Sequence, residues 1–400
     1  MGEALKSAAG PAHSKMKLDP VQLLKDMIAI PSVNPMRVGT TEPVERDMAN
    51  YLEQVLRRAQ IDCERQTISD GRENVIGVVH ANQRDNGKKG LMFNSHMDTV
   101  PVANMTIDPF DPVVKDQLLF GRGSCDAKGS IASMLSAVVD YAESSHREVP
   151  VVFAAMADEE FSFSGSWKLI EREWPVTACV VGEPTRLARV IAHKGVARWR
   201  ILVKGVSAHG ATPELGRSAI YDAARVALAL EAYAKRLETS EPHMLLGRST
   251  INVGKVNGGQ SVNIVPDRCE FEMERRLLPH EDGLRVIADC ETFVRNQVGD
   301  RIELQVEAPY LVDPALETSS DAAIVRALGD AQRIEFGSES ELRGANYGTD
   351  GSKISRAGIE TVVCGPGDIA NAHTKDEHIE IEQVELATRL YRSLLSKLSK

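Results

Sequence analysis

The chain has 400 residues, 42% of them hydrophobic and 26% charged, and a formal net charge of −10. That length exceeds one ordinary compact core and predicts two domains of globular composition. The acidic balance argues against a nucleic-acid partner, and no run of 18 apolar residues argues for a membrane span.

Residues 1–17 are polar and alanine-rich without a hydrophobic signal core, and read as a mobile extension. From Leu18 to Ile30 the apolar spacing is helical, ending at Pro31. A second helix is predicted over Glu42 to Ala59. Asn74 to His80, Leu91 to Asn94, Val151 to Met156 and Cys179 to Val181 read as short buried strands. Gly129 to Tyr141 reads as a helix between them. Strands alternating with helices predict an α/β fold with a mixed, mostly parallel sheet.

Near His193 the pattern changes. Strand (Val196 to Val203), helix (Ser218 to Leu237), strand (Ser249 to Val256), strand (Arg268 to Arg275), helix (Leu284 to Val298) and strand (Arg301 to Glu307) follow in turn. This β-α-β-β-α-β order predicts an inserted α+β, ferredoxin-like domain over 193–308. The first domain then comprises 18–192 and 309–400. Six cysteines (Cys63, Cys125, Cys179, Cys269, Cys290 and Cys364) lack CxxC spacing, so free thiols in a reducing cytoplasm are expected.

Five segments concentrate the unusual residues: Ser95-His96-Met97-Asp98, Gly121 to Gly129 around Asp126, Asp158-Glu159-Glu160, Gly182-Glu183-Pro184-Thr185, and Gly365 to His373. Four of the five begin where an apolar strand stops, and the carboxyl ends of strands form the ligand crevice of an open α/β sheet. Taken singly, each has a plainer reading as a turn or a solvated acidic face. Together they bring two histidines and several carboxylates to one place, a donor set suited to Zn²⁺, Co²⁺ or Mn²⁺. Two adjacent metals need a bridging carboxylate, and Asp126, flanked by glycines, is placed for it. No GxSxG elbow, P-loop or zinc-deaminase signature occurs to support a rival chemistry.

In this order SHMDTV, GRGSCDAKG, DEE, GEPT, SAHG and GPGDIANAHTKDE resemble the metal-dependent aminoacylase and carboxypeptidase (M20) family, in its acetylornithine deacetylase and succinyl-diaminopimelate desuccinylase branch. The resemblance implies a zinc-exopeptidase-like catalytic domain and an inserted lid that dimerises. It implies two Zn²⁺ per subunit, with Co²⁺ or Mn²⁺ as substitutes. His96, Asp126 and Glu183 would hold one metal; Asp126, Glu160 and His373 the other. Asp98 would orient a ligand imidazole. Glu159 would be the general base toward a metal-bridging water. His209 of SAHG would serve as an oxyanion residue entering the other subunit's site. Arg276 would bind the substrate carboxylate, with Asn263, Gly348 and Thr349 as further contacts. A cis peptide is expected at Asp126–Ala127, and Cys125 is expected to be a small filler. The implied reaction is hydrolysis of the amide of an N-acyl-amino acid. A dipeptidase or carboxypeptidase is the alternative, and a non-catalytic binding protein the remoter one.

Overall fold

The computed structural model describes residues 16–36, 44–69, 71–83 and 87–398. The expected N-terminal extension lies outside them but for its last two residues, and so does the expected helix start at Glu42.

Helix α1 (Pro20–Ile28) begins where the Asp19 carboxylate accepts from the backbone N–H of Val21 at 2.9 Å, with Pro20 in the first turn. Leu23, Leu24, Met27 and Ile28 form its buried side, and Met48, Leu52, Val55 and Leu56 do the same for α2 (Arg46–Arg58). Two antiparallel strands follow, β1 (Asp62–Ser69) and β2 (Arg72–Val79). β1 is a polar edge strand with no apolar run, which is why periodicity does not predict it. Then come β3 (Gly90–His96), α3 (Lys128–Ala142), β4 (Val151–Met156), α4 (Ser164–Leu169), β5 (Val176–Val181) and β6 (Arg189–His193).

At Lys194 the chain leaves for a second sheet. β7 (Gly195–Lys204), α5 (Ala219–Leu237), β8 (Thr250–Gly258), β9 (Arg268–Leu277), α6 (Gly283–Val298) and β10 (Glu303–Val306) trace the β-α-β-β-α-β order. The strands stand as β8-β9-β7-β10, all antiparallel, with β11 (Leu311–Asp313) also beside β7. Return to the first sheet is later than 309, because β11 still pairs with β7. Helices α5 and α6 cover one face, where Trp199, Ile201, Val203, Phe271 and Met273 are buried. Truncating Trp199 to alanine would cost about 3–5 kcal/mol by the usual penalty for a large buried aromatic. By alternation Arg198, Arg200, Glu272, Glu274 and Arg276 point to the uncovered face.

Back in the first sheet, β12 (Leu316–Glu317), α7 (Ala323–Phe336), β13 (Leu342–Ala345), α8 (Gly351–Arg356), β14 (Glu360–Val363) and α9 (Ile381–Leu398) complete the chain. The nine strands run β1-β2-β4-β3-β5-β14-β6-β12, with β13 pairing β6. Neighbours β4, β3, β5 and β14 are parallel. They are buried on both faces, by α1, α2, α3, α7 and α9 on one side and by α4 and α8 on the other. No helix among the described residues is long and apolar enough to cross a membrane.

Candidate active site

The four parallel strands stop on one edge of the sheet, and the unusual residues lie at or just past those stops. His96 is the last residue of β3. After β4 the chain turns at Asp158, in a left-handed conformation (φ 63), into Glu159 and Glu160. Gly182 and Glu183 follow β5. After β14 a loop brings back His373, also left-handed (φ 59). Asp126 arrives from the loop that opens α3. A Cβ on Gly182 would lie 2.5 Å from Ser130, so glycine there lets α3 approach the end of β5. The Asp126–Ala127 peptide is cis, the expected form.

The two oxygens of Asp126 face opposite ways. Oδ1 lies 3.0 Å from His96 Nε2, and Oδ2 lies 3.2 Å from His373 Nε2. Glu183 Oε2 is 4.0 Å from His96 Nε2, and Glu160 Oε1 is 3.2 Å from His373 Nε2. The side chains thus make two clusters, His96–Asp126–Glu183 and Asp126–Glu160–His373, that share Asp126. Glu159 belongs to neither, yet lines the same cleft.

A buried frame holds these groups. His96 Nδ1 donates to the backbone carbonyl of Asp98 at 2.9 Å, which turns Nε2 toward Asp126. The Asp98 carboxylate lies farther from that nitrogen, at 3.5 Å. It instead accepts from the N–H groups of Glu159 at 3.1 Å and Glu160 at 3.2 Å, and from Asn34 Nδ2 at 2.8 Å. Asn34 also donates to Asp158 at 3.0 Å, and Arg72 pairs with Asp158 at 2.8 Å and with Glu45. On the other side, Glu377 accepts from the backbone N–H groups of Cys125 and Asp126 and pairs with Arg122. Asn34, Glu45, Arg72, Arg122 and Glu377 are absent from the predicted site. Burial pushes the Cys125 thiol up and its sulfur rests 3.3 Å from the Asp368 carbonyl, which fits a filler.

The electrostatics call for a cation. Burial raises the Glu159 and Glu183 carboxyls well above the usual range, with His96 opposing and neighbouring carboxylates adding to the rise. Burial also raises Glu160, to about 7. Asp126 goes the other way: its bonds to His373 and His96 outweigh burial. Bonds to Asp126 and Glu160 raise His373 to about 10. Like charges 4 Å apart repel by about 4 kcal/mol at an effective dielectric near 20. Four carboxylates with two imidazoles therefore suit added positive charge. Glu183 Oε1 is buried and has no hydrogen-bond partner among the described residues. Carboxylate oxygen with imidazole nitrogen is the donor set of a divalent hydrolytic metal, and the residues fit it.

The cleft encloses about 180 Å³. Arg276 and Gly348 line it, and so does Arg198, which sequence reasoning missed because its alternation marks only an outward-facing position. Thr349 does not. It is fully buried, its hydroxyl set between His193 Nε2 at 3.1 Å and the N–H of Gly351 at 3.0 Å. His209 and Asn263 lie apart, at an exposed ribbon formed by Ala208–His209 and Ile264–Val265.

Comparison with known proteins shows the family. The chain is 32% identical to the acetylornithine deacetylase of Myxococcus xanthus over 343 residues, covering 84% of this chain and 88% of that one. It is 30% identical to the acetylornithine deacetylase of Proteus mirabilis, covering 94% and 95%. The structure of aminopeptidase PepT from Bacillus cereus superposes with a TM-score of 0.75 at 21% identity, over 95% of this chain and 98% of that one. Residues 92–397 match the peptidase family M20/M25/M40. With paired carboxylate–imidazole clusters at the strand ends and deacetylases among its relatives, the chain belongs to peptidase family M20/M25/M40 and is a metal-dependent amidohydrolase.

Proposed function

We propose that the enzyme hydrolyses the amide bond of an N-acyl-amino acid. The observation that carries this is the two-sided Asp126, each oxygen turned to a different histidine, beside a glutamate outside both clusters. The names of the relatives supply the N-acyl-amino-acid class.

His96, Asp126 and Glu183 would hold one divalent ion and Asp126, Glu160 and His373 a second. Zn²⁺ is the metal proposed, with Co²⁺ or Mn²⁺ as substitutes. When bound, the metals would polarise the amide carbonyl and bring the pKa of a water toward neutrality. Glu159 takes the proton from the attacking water onto its carboxylate, then delivers it to the departing amine nitrogen. Asp98 fixes the Glu159–Glu160 turn through both backbone amides, so the base stays aimed into the cleft. Arg276 holds the α-carboxylate. A dipeptide offers the same amide and carboxylate, and is the alternative substrate.

The assembly proposed is a homodimer through the second sheet. β8 is an exposed edge strand, and Tyr221 and Leu228 on neighbouring α5 are 72% and 66% exposed. His209 of one subunit would then meet the carbonyl oxygen in the other. The compartment proposed is the cytoplasm, where free thiols stay reduced.

The test is turnover of N-acetyl-, N-succinyl- and N-formyl-amino acids beside dipeptides, with Zn²⁺ or Co²⁺ supplied and with chelator. N-acyl-amino acids should be cleaved, chelator should abolish the activity, and metal should restore it. Cleavage of dipeptides alone rejects the deacylase reading, and full activity in chelator rejects the metal.

A further inference from the structure

The walls of the cleft narrow the substrate. Apart from Glu159 and the two ligand clusters, they comprise apolar side chains, chiefly Phe161, Val196, Leu311 and Ile369, the phenol of Tyr347, and two cations, Arg198 and Arg276. Arg198 comes from β7 and Arg276 from its antiparallel neighbour β9. Between the two stands Glu274, directly opposite Arg198 in the register. One Glu274 oxygen accepts from Arg276 Nε at 2.7 Å, and the other from Arg198 Nε at 2.8 Å. Burial opposes ionisation of Glu274, but the two guanidinium groups prevail and keep its carboxyl below the usual range.

Two guanidinium charges against one carboxylate leave a single positive charge on this wall. One substrate carboxylate matches it. Among the described residues that line the cleft, a cationic side chain such as that of ornithine would find no carboxylate free of another role. Asp126, Glu160 and Glu183 belong to the ligand clusters, Glu159 is the base proposed above, and Glu274 is held at both oxygens. The ammonium would be desolvated beside two arginines, which is unfavourable, whereas an apolar side chain meets apolar walls. We infer that the enzyme selects N-acyl-amino acids with an uncharged, apolar side chain and rejects cationic ones, with Arg198, Glu274 and Arg276 forming one clamp for the single α-carboxylate. This rests on the N-acyl-amino-acid reading above and departs from the substrate named for the relatives.

The experiment compares kcat/KM of the metal-loaded enzyme for the N-acetyl derivatives of L-leucine, L-methionine, L-ornithine and L-glutamate. Leucine and methionine should exceed ornithine by roughly 30-fold or more, the discrimination expected when a charge meets an apolar site without a partner. Ornithine within about threefold of leucine, or above it, overturns the inference. Glutamate as the best substrate also overturns it, because the second arginine would then serve a second carboxylate. The variant Arg198→Gln releases one oxygen of Glu274 and should narrow the ornithine deficit by about tenfold. An unchanged deficit in folded variant, checked by thermal melting, rejects Glu274 neutralisation as its cause. If no N-acetyl-amino acid is cleaved, the function proposed above falls, and dipeptides ending in leucine or lysine read the same walls. Preference for leucine supports the clamp. Equal rates, a preference for lysine, or no cleavage of either overturns it.

Discussion

Glu377 Oε1 accepts from the backbone N–H of Asp126 at 3.0 Å, across 251 positions of sequence. The same oxygen takes the Cys125 N–H at 2.9 Å, and Oε2 meets Arg122 Nη1 at 2.6 Å. Glu377 therefore positions the residue shared by both ligand clusters without facing the cleft itself. Glu377→Gln keeps one acceptor but loses the charge opposite Arg122. Metal affinity should fall by about 10–100-fold, the usual effect of removing an outer partner of a ligand. Metal retained after dialysis against graded chelator measures this, and wild-type retention would reject the role.

Glu159→Ala removes a carboxylate from neither ligand cluster. Metal content should stay at the wild-type level while kcat falls by roughly 10²–10⁴. Turnover near the wild-type rate would exclude Glu159 as the base.

His209 is exposed and does not line its own cleft. His209→Ala should lower activity sharply, and mixing it with Glu159→Ala subunits should restore part of the rate. Each such heterodimer holds one site with both residues intact. Mixed subunits that exchange, seen by mass spectrometry, yet stay inactive would rule out sharing.

His193 gives the stability of the fold a pH dependence. Its Nδ1 donates to the Lys194 carbonyl at 3.0 Å, and Nε2 accepts from Thr349 at 3.1 Å. Burial holds its pKa down to about 3, although the carbonyl bond works the other way. The unfolded chain binds this proton below about 6.5 and the folded protein does not. The contribution is thus complete above 6.5 and is lost as pH falls toward 3, by up to roughly 1.4 kcal/mol per pH unit. In His193→Gln, urea unfolding between pH 4.5 and 7 should show a shallower slope. Coincident slopes would contradict the assignment.

Much of this was legible in the chain. Apolar runs such as Val151 to Met156 stop abruptly, and the polar residues after them mark the crevice. The helix and strand periods after residue 195 likewise define the second sheet. Other parts leave no local mark. β1 is polar on both faces and shows no period. Arg72–Glu45, Arg122–Glu377 and Asn34–Asp98 join distant segments, and each member but Asp98 alone reads as an ordinary surface polar residue. Arg198 follows an alternation that places it outward, and only the packing of two sheets makes that outward face a wall. Thr349 sits in a promising loop, yet its hydroxyl is turned inward to His193, a choice no neighbouring residue announces.

The chain passes between the sheets at Lys194 and again at Pro314–Ala315. These crossings lie side by side, since Asp313 pairs with Val196 and Leu316 with His193. A Cβ on Gly195 would stand 2.4 Å from the Asp313 carbonyl, so the two passages are pressed together. The two carboxylate–imidazole clusters belong to one sheet and Arg198 and Arg276 to the other. On the roles proposed above, the molecule is a caliper, one jaw gripping a carboxylate and the other cutting an amide. The span between jaws then gauges how far a scissile bond can lie from its terminal anion, so reach joins side-chain chemistry in choosing what is cleaved.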